Sequence, residues 1–164
     1  MGCKTIRDLY EKSTVPDKCF KYTTPVLWDK ETHQPEKAIA YIADVLEDLQ
    51  AHELLNGQTP DEVLARISAE DNLARCLEGV DYVQENTPEQ VEVKREIFPR
   101  LDELAPADAI LASSTSALLP STFTAHLRNR DRCLVAHPIN PPYLIKAVEV
   151  VPAPWTSPEA MEKT

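Results

Sequence analysis

The residues best suited to chemistry lie between Arg132 and Pro152. An apolar run, Cys133-Leu134-Val135-Ala136, delivers His137. Pro138-Ile139-Asn140-Pro141-Pro142-Tyr143 follows, and a second apolar run, Ala147 to Val151, carries Glu149. Imidazole exchanges protons near neutral pH, and a carboxylate on its far nitrogen decides which ring nitrogen holds the proton. A histidine with Asn140 three residues on and Glu149 twelve residues on reads as an acid/base constellation. The same letters also suit a hydrogen-bonded turn followed by a solvated strand-end carboxylate, and the residues alone leave both readings open.

The elements that must hold these groups are legible around them. Apolar runs of four or five residues bounded by proline fit short buried strands better than helices. Prolines 138, 141 and 142 forbid helix between the two runs and impose an extended turn. Upstream, Val26-Leu27-Trp28 is a short strand ending in Asp29. Pro35 opens a helix with Ile39, Ile42, Val45, Leu46 and Leu49 on one face and Gly57 beyond its end. Thr59-Pro60-Asp61-Glu62 spells a capping box for a short helix to about Arg66, Ile67 to Ala69 reads as strand, and Leu73 to Leu77 as a helical turn.

Tyr82 to Glu85 is a further strand, and Thr87-Pro88-Glu89-Gln90 resembles a second capping box. The helix after it places Val91, Phe98, Leu101 and Leu104 on one face before a stop at Pro106. Ala109 to Ala112 is a buried strand running into Ser113-Ser114-Thr115-Ser116, with a short helix expected from Ser121 to Leu127. Thr156-Ser157-Pro158-Glu159 starts a helix only a few residues before Thr164, too short to hold itself. Alternating strands and helices predict an α/β fold with a parallel sheet. Ligands gather at the carboxyl ends of such strands, where Asp29, Glu85, Ser113 to Ser116 and His137 all fall.

Composition limits the function classes. With 17 basic and 27 acidic residues the net charge is −10, which argues against nucleic acid and anionic membrane surfaces. No apolar run approaches the roughly 20 residues that span a bilayer, and the first 25 residues lack a signal-peptide core. Cys3, Cys19, Cys76 and Cys133 show no paired metal-ligand spacing, so neither a zinc site nor a disulfide framework is expected, and a metal hydrolase built on His137 and Glu149 lacks further ligands. The expectation is a cytoplasmic protein.

The segment from His137 to Tyr143, with the motifs before it, resembles the NAD-dependent 3-hydroxyacyl-CoA dehydrogenase superfamily, in particular its lambda-crystallin/L-gulonate 3-dehydrogenase branch. The resemblance runs from about Val26 to Thr164. It implies a Rossmann-type NAD-binding domain over residues 26–164, preceded by a divergent segment over residues 1–25. By resemblance His137 is the catalytic base and Glu149 the carboxylate that orients it. Ser116 and Asn140 are then substrate-binding, while Asp29 binds the adenosine ribose of NAD, and Glu89 and Lys94 lie near the nicotinamide ribose and the substrate. The implied substrate is a small molecule, a 3-hydroxyacyl-CoA or a hydroxy acid, with Lys94, Arg132 and Lys146 as candidate basic groups for CoA.

The chain also departs from the family pattern. A dinucleotide crevice of this kind places a Gly-x-Gly-x-x-Gly loop about 20 residues before the ribose acid. Counting back from Asp29 lands near Leu9, whereas the chain's three glycines are Gly2, Gly57 and Gly79. The first strand and glycine loop are therefore expected to be missing and NAD binding impaired. The family's C-terminal helical domain, through which its members usually form homodimers, is expected to be absent. Two readings follow: an impaired dehydrogenase fragment, or a non-catalytic structural protein of crystallin type.

Overall fold

The computed structural model describes residues 25–145 and 147–164. The divergent segment expected over residues 1–25 lies, all but Pro25, outside the described residues, as does the candidate Lys146. The chain divides into two compact units, one holding the described residues up to Cys76 and the other running from Leu77 to Thr164.

In the first unit, β1 (Val26–Leu27) pairs in parallel with β2 (Ser68–Ala69). Between them lie α1 (Gln34–Ala51) and α2 (Pro60–Leu64). Proline opens α1, where its missing N–H costs nothing. The helix stops at Ala51, six residues before Gly57, and the connection contains Glu53, Asn56 and Gly57 with φ of 58°, 51° and 83°. The signals at 59–62 work as the sequence predicts. Thr59 Oγ1 accepts from Glu62 N at 3.2 Å, and Glu62 Oε2 accepts from Thr59 N at 2.8 Å. The helical turn α3 (Leu73–Cys76) closes this unit, and the indole of Trp28 donates to the Asp71 carbonyl at 3.1 Å.

In the second unit, β3 (Tyr82–Glu85), β4 (Ile110–Ser113), β5 (Cys133–Pro138) and β6 (Val148–Pro152) form a sheet in that order. The first three strands are parallel. β6 is antiparallel to β5, so the expected parallel sheet carries one antiparallel edge strand. The physical reason is the connection: its nine residues include Pro141 and Pro142 and no helix among those described, so they make a turn, and a parallel return needs a crossover of a dozen residues or more. The antiparallel ladder also accommodates its prolines. Ile139 N donates to Ala147 O, so the hydrogen-bonded positions alternate through His137 and Val135, and Pro138 falls at a position that owes β6 no N–H.

The sheet is buried on both faces at β4. Leu111 and Cys133 belong to one face with Phe98 of α4 (Val91–Leu104) and Phe123 of α5 (Ser121–Thr124), all four at 0 % exposure, the two rings 4.8 Å apart and inclined at 52°. On the other face Ile110, Ala112, Leu134 and Ala136 alternate inward, and α6 (Pro158–Lys163) covers them with Ala160 and Met161. Ser157 caps α6 by accepting from Ala160 N at 3.1 Å, and Lys163 Nζ donates to the Asp108 carbonyl at 2.7 Å. A six-residue helix that could not persist alone is thus held by packing and caps. The residues at 87–90 do not form the expected capping box. Gln90, in extended backbone, precedes the helix without a side-chain cap, while Thr87 turns back to Glu85.

Candidate active site

The carboxyl ends of β3, β4 and β5 converge on one cluster of polar side chains. His137 is the fifth residue of β5, and the antiparallel register sets it directly opposite Glu149. Opposed residues point to the same face of a sheet, so strand pairing itself brings imidazole and carboxylate together. His137 Nδ1 lies 2.9 Å from Glu149 Oε2, and His137 Nε2 lies 3.1 Å from Ser116 Oγ. A carboxylate can only accept, so Nδ1 carries the proton; in the neutral ring Nε2 is then the acceptor and the Ser116 hydroxyl donates to it. The result is a hydroxyl–imidazole–carboxylate relay whose histidine side chain is 19 % exposed and whose glutamate is 65 % exposed. Such a ring can take a proton at Nε2 from an alcohol beside Ser116 while Glu149 steadies the cation formed.

The loop that carries Ser116 is shaped by Glu89. This carboxylate accepts from the Thr115 hydroxyl and, at 3.0 Å, from Ala117 N. The Thr115 hydrogen bond holds the Glu89 carboxyl below its ordinary range against a desolvation effect that raises it, helped by the Ala117 N–H and the Lys94 ammonium. Glu89 therefore grips the residues on either side of Ser116. Lys94 turns inward at 1 % exposure, its Nζ lying 3.0 and 2.9 Å from the Glu85 carboxylate oxygens and 3.3 Å from the Thr87 carbonyl. Ser113 Oγ donates to the same carboxylate at 2.6 Å. Glu85 and Lys94 thus tie the ends of β3 and β4 to α4, and the ammonium is not presented to the surface. Arg132 is likewise taken out of consideration as a CoA-facing charge. It is 5 % exposed and paired with Asp102 at 3.0 Å, with the Asp102 and Ala109 carbonyls also accepting from it.

The other predicted residues are placed as follows. Asn140 is exposed in the β5–β6 connection, next to the cis Asn140–Pro141 bond. Asp29 stands two residues past the end of β1, half-buried, with Oδ1 accepting from Glu31 N at 2.8 Å. A carboxylate just past a strand end suits a ribose diol. The pyrophosphate of a dinucleotide asks for close backbone approach, and no glycine stands where the chain would supply it.

Sequence reading missed Gln84. Its Nε2 donates to Ser114 Oγ at 2.5 Å and to the Ala136 carbonyl at 2.9 Å, and its Oε1 accepts from Tyr82 Oη at 2.9 Å. The available signal was period-two spacing: Tyr82 and Gln84 share a face of β3, at the strand end already marked by Glu85.

Comparison with known proteins agrees with this geometry. Residues 20–164 match the family described as 3-hydroxyacyl-CoA dehydrogenase, NAD binding domain. Lambda-crystallin of Oryctolagus cuniculus is 42% identical over 139 residues, covering 84% of this chain and 44% of that protein. L-carnitine dehydrogenase of Pseudomonas putida is 34% identical over 137 residues, covering 84% of this chain and 41% of the other. Among solved structures, 3-hydroxybutyryl-CoA dehydrogenase of Escherichia coli superposes with a TM-score of 0.78 at 28% identity, over 84% of this chain and 29% of that one. The chain spans less than half the length of these relatives. With a Rossmann-type α/β unit, parallel strands and a polar cluster at their carboxyl ends, the chain belongs to the 3-hydroxyacyl-CoA dehydrogenase family through its NAD-binding domain.

Proposed function

We propose that residues 26–164 carry the proton-handling half of an NAD-dependent dehydrogenase acting on a 3-hydroxy group of an acyl-CoA or a hydroxy acid. The observation that carries this reading is the relay from Ser116 through His137 to Glu149. NAD would supply the hydride acceptor, held at its adenosine ribose by Asp29. His137 Nε2 receives the substrate hydroxyl proton, Ser116 holds the substrate oxygen beside Nε2, and Glu149 keeps Nδ1 protonated and balances the charge on the ring. Asn140 adds a donor to the same end of the sheet. Glu89 and Lys94 act through structure, Glu89 on the Ser116 loop and Lys94 on the β3 end.

We further propose that this chain binds NAD weakly, because the stretch near Leu9 offers no glycine to approach the pyrophosphate. Residues 1–25 on this reading stand apart from the nucleotide-binding pattern. The same observation favours a second reading, a non-catalytic crystallin-type protein that keeps the family's fold. Calorimetric titration with NADH and an assay of NAD reduction with 3-hydroxybutyryl-CoA separate the two. The first reading expects affinity weaker than micromolar and slow turnover abolished in His137→Gln. Micromolar affinity would refute the impaired site, and turnover unaffected by His137→Gln would refute the assignment of the base.

A further inference from the structure

We propose that Gln84 is a positioning residue for His137, a side-chain clamp that replaces a strand where β4 ends. This rests on the reading of His137 as the proton acceptor. In the β5–β6 ladder the hydrogen-bonded positions are Ile139, His137 and Val135, so the peptide groups of Ala136 face the β4 side. β4, however, stops at Ser113, opposite Val135. The amide that would continue the ladder to Ala136, Thr115 N, donates instead to Ser113 Oγ at 3.3 Å. The Ala136 carbonyl, in a residue only 2 % exposed, would face a gap in the sheet, and a buried carbonyl demands a donor. Gln84 Nε2 fills that gap at 2.9 Å, reaching from β3 past the end of β4.

The donor is itself fixed. Tyr82 Oη donates to Gln84 Oε1 at 2.9 Å, which sets the amide's orientation so that its NH2 faces Ala136. The same NH2 donates to Ser114 Oγ at 2.5 Å, Ser114 Oγ donates to Asn86 Oδ1 at 2.6 Å, and Asn86 Nδ2 closes the circuit on the Gln84 carbonyl at 3.0 Å. The Ala136–His137 peptide is thus pinned by Gln84 at its carbonyl and by β6 at the next residue. That peptide sets the direction from which the imidazole departs, and a reacting group loses much of its effect when displaced by about 1 Å. Gln84 touches neither Ser116 nor Glu149, so it acts only through the backbone that carries His137.

The test uses the full chain and two variants. Gln84→Glu keeps the length and the acceptor for Tyr82, but its carboxylate cannot donate to Ala136. Gln84→Met keeps the length with neither donor nor acceptor. The readout is the His137 Nδ1 proton in NMR, protected from solvent by Glu149 in the parent chain. Both variants should lose that resonance to exchange broadening while keeping the parent's circular dichroism and a cooperative urea transition, its midpoint lowered by the lost hydrogen bond to a buried carbonyl. Met161→Ala, a destabilising change on the sheet face away from His137, should keep the resonance. Retention of the resonance in both Gln84 variants would overturn the proposal, as would its equal loss in Met161→Ala or a failure of both Gln84 variants to fold. The readout needs neither cofactor nor turnover. A parent chain inactive toward 3-hydroxybutyryl-CoA, with the resonance lost only in the Gln84 variants, would sink the dehydrogenase reading and leave the positioning role standing.

Discussion

The second unit holds the same chemical groups in two opposite settings. At Glu85–Lys94 and Asp102–Arg132, carboxylates and cations are sealed in, each at 8 % exposure or less. At Ser116–His137–Glu149, a carboxylate and an imidazole meet at nearly the same distance but remain open to solvent. Burial makes the first kind a structural brace: a lone charge there would be expensive, so neither partner can be removed without the other. The second kind, with its carboxylate exposed, contributes little to stability, yet the carboxylate still dictates which nitrogen bears hydrogen. Charged residues in an α/β domain therefore sort by depth into those that hold the strand ends and those that work beyond them.

Breaking the deeper pair should have the largest effect. Lys94→Met leaves the Glu85 charge buried without its cation and should cost about 3–5 kcal/mol, a large share of the roughly 5–15 kcal/mol that stabilises an ordinary domain. Urea unfolding would report it. Adding Glu85→Gln should recover much of the loss, because the orphaned charge disappears; a double variant as unstable as the sum of the singles would contradict the pairing.

Asp102 sharpens the comparison through pH. Burial pushes its carboxyl up, but the Arg132 guanidinium and the Asn129 amide outweigh that and hold it below the ordinary carboxylate range. A depressed folded-state value means the unfolded chain binds the proton more readily. The stabilisation is therefore fully present above the ordinary aspartate value of about 3.9 and is lost as pH falls through the folded value. Asp102→Asn should cost about 1–3 kcal/mol at neutral pH and flatten the acid limb of a plot of urea midpoint against pH. An unchanged acid limb would assign acid sensitivity elsewhere.

Glu89 should come next, with a local effect. Glu89→Gln weakens the grip on Thr115 and Ala117, so amide exchange over residues 115–118 should quicken while the unfolding free energy falls by about 1 kcal/mol or less. Smallest of all in stability is Glu149→Ala, expected within about 1 kcal/mol of the parent because the pair is exposed. A loss as large as that of Lys94→Met would erase the distinction between the two settings.

Much of this was legible in the chain, for reasons that differ by residue. The Thr59 capping box is a contract between residues three apart, so local letters suffice. The His137–Glu149 pairing was readable because a proline-rich turn joins two apolar runs, and the parallel sheet expected from alternating elements is present, with β6 added antiparallel at its edge. The braces were illegible for the opposite reason. Arg132 and Asp102 are 30 positions apart and meet only after the sheet forms, so the sequence offered Arg132 as a surface charge. Lys94 stands among Glu92, Arg95 and Glu96 in a charged stretch of its helix, yet it reaches the end of β3. Thr87-Pro88 imitated a helix start because its hydroxyl does bond locally, but to Glu85 behind it. Gln84 escaped notice because its task exists only where β4 stops short of β5.

The central claim is that strand pairing holds His137 with its proton on Nδ1, toward Glu149, leaving Nε2 as the acceptor beside Ser116. Nitrogen-15 NMR of the labelled chain, at a pH where the ring is neutral, tests it directly. The account expects one resonance typical of a protonated nitrogen at Nδ1 and one typical of an unprotonated nitrogen at Nε2, with the preference lost in Glu149→Ala. A neutral ring protonated at Nε2, or the averaged pair of a free imidazole in the parent chain, would contradict it.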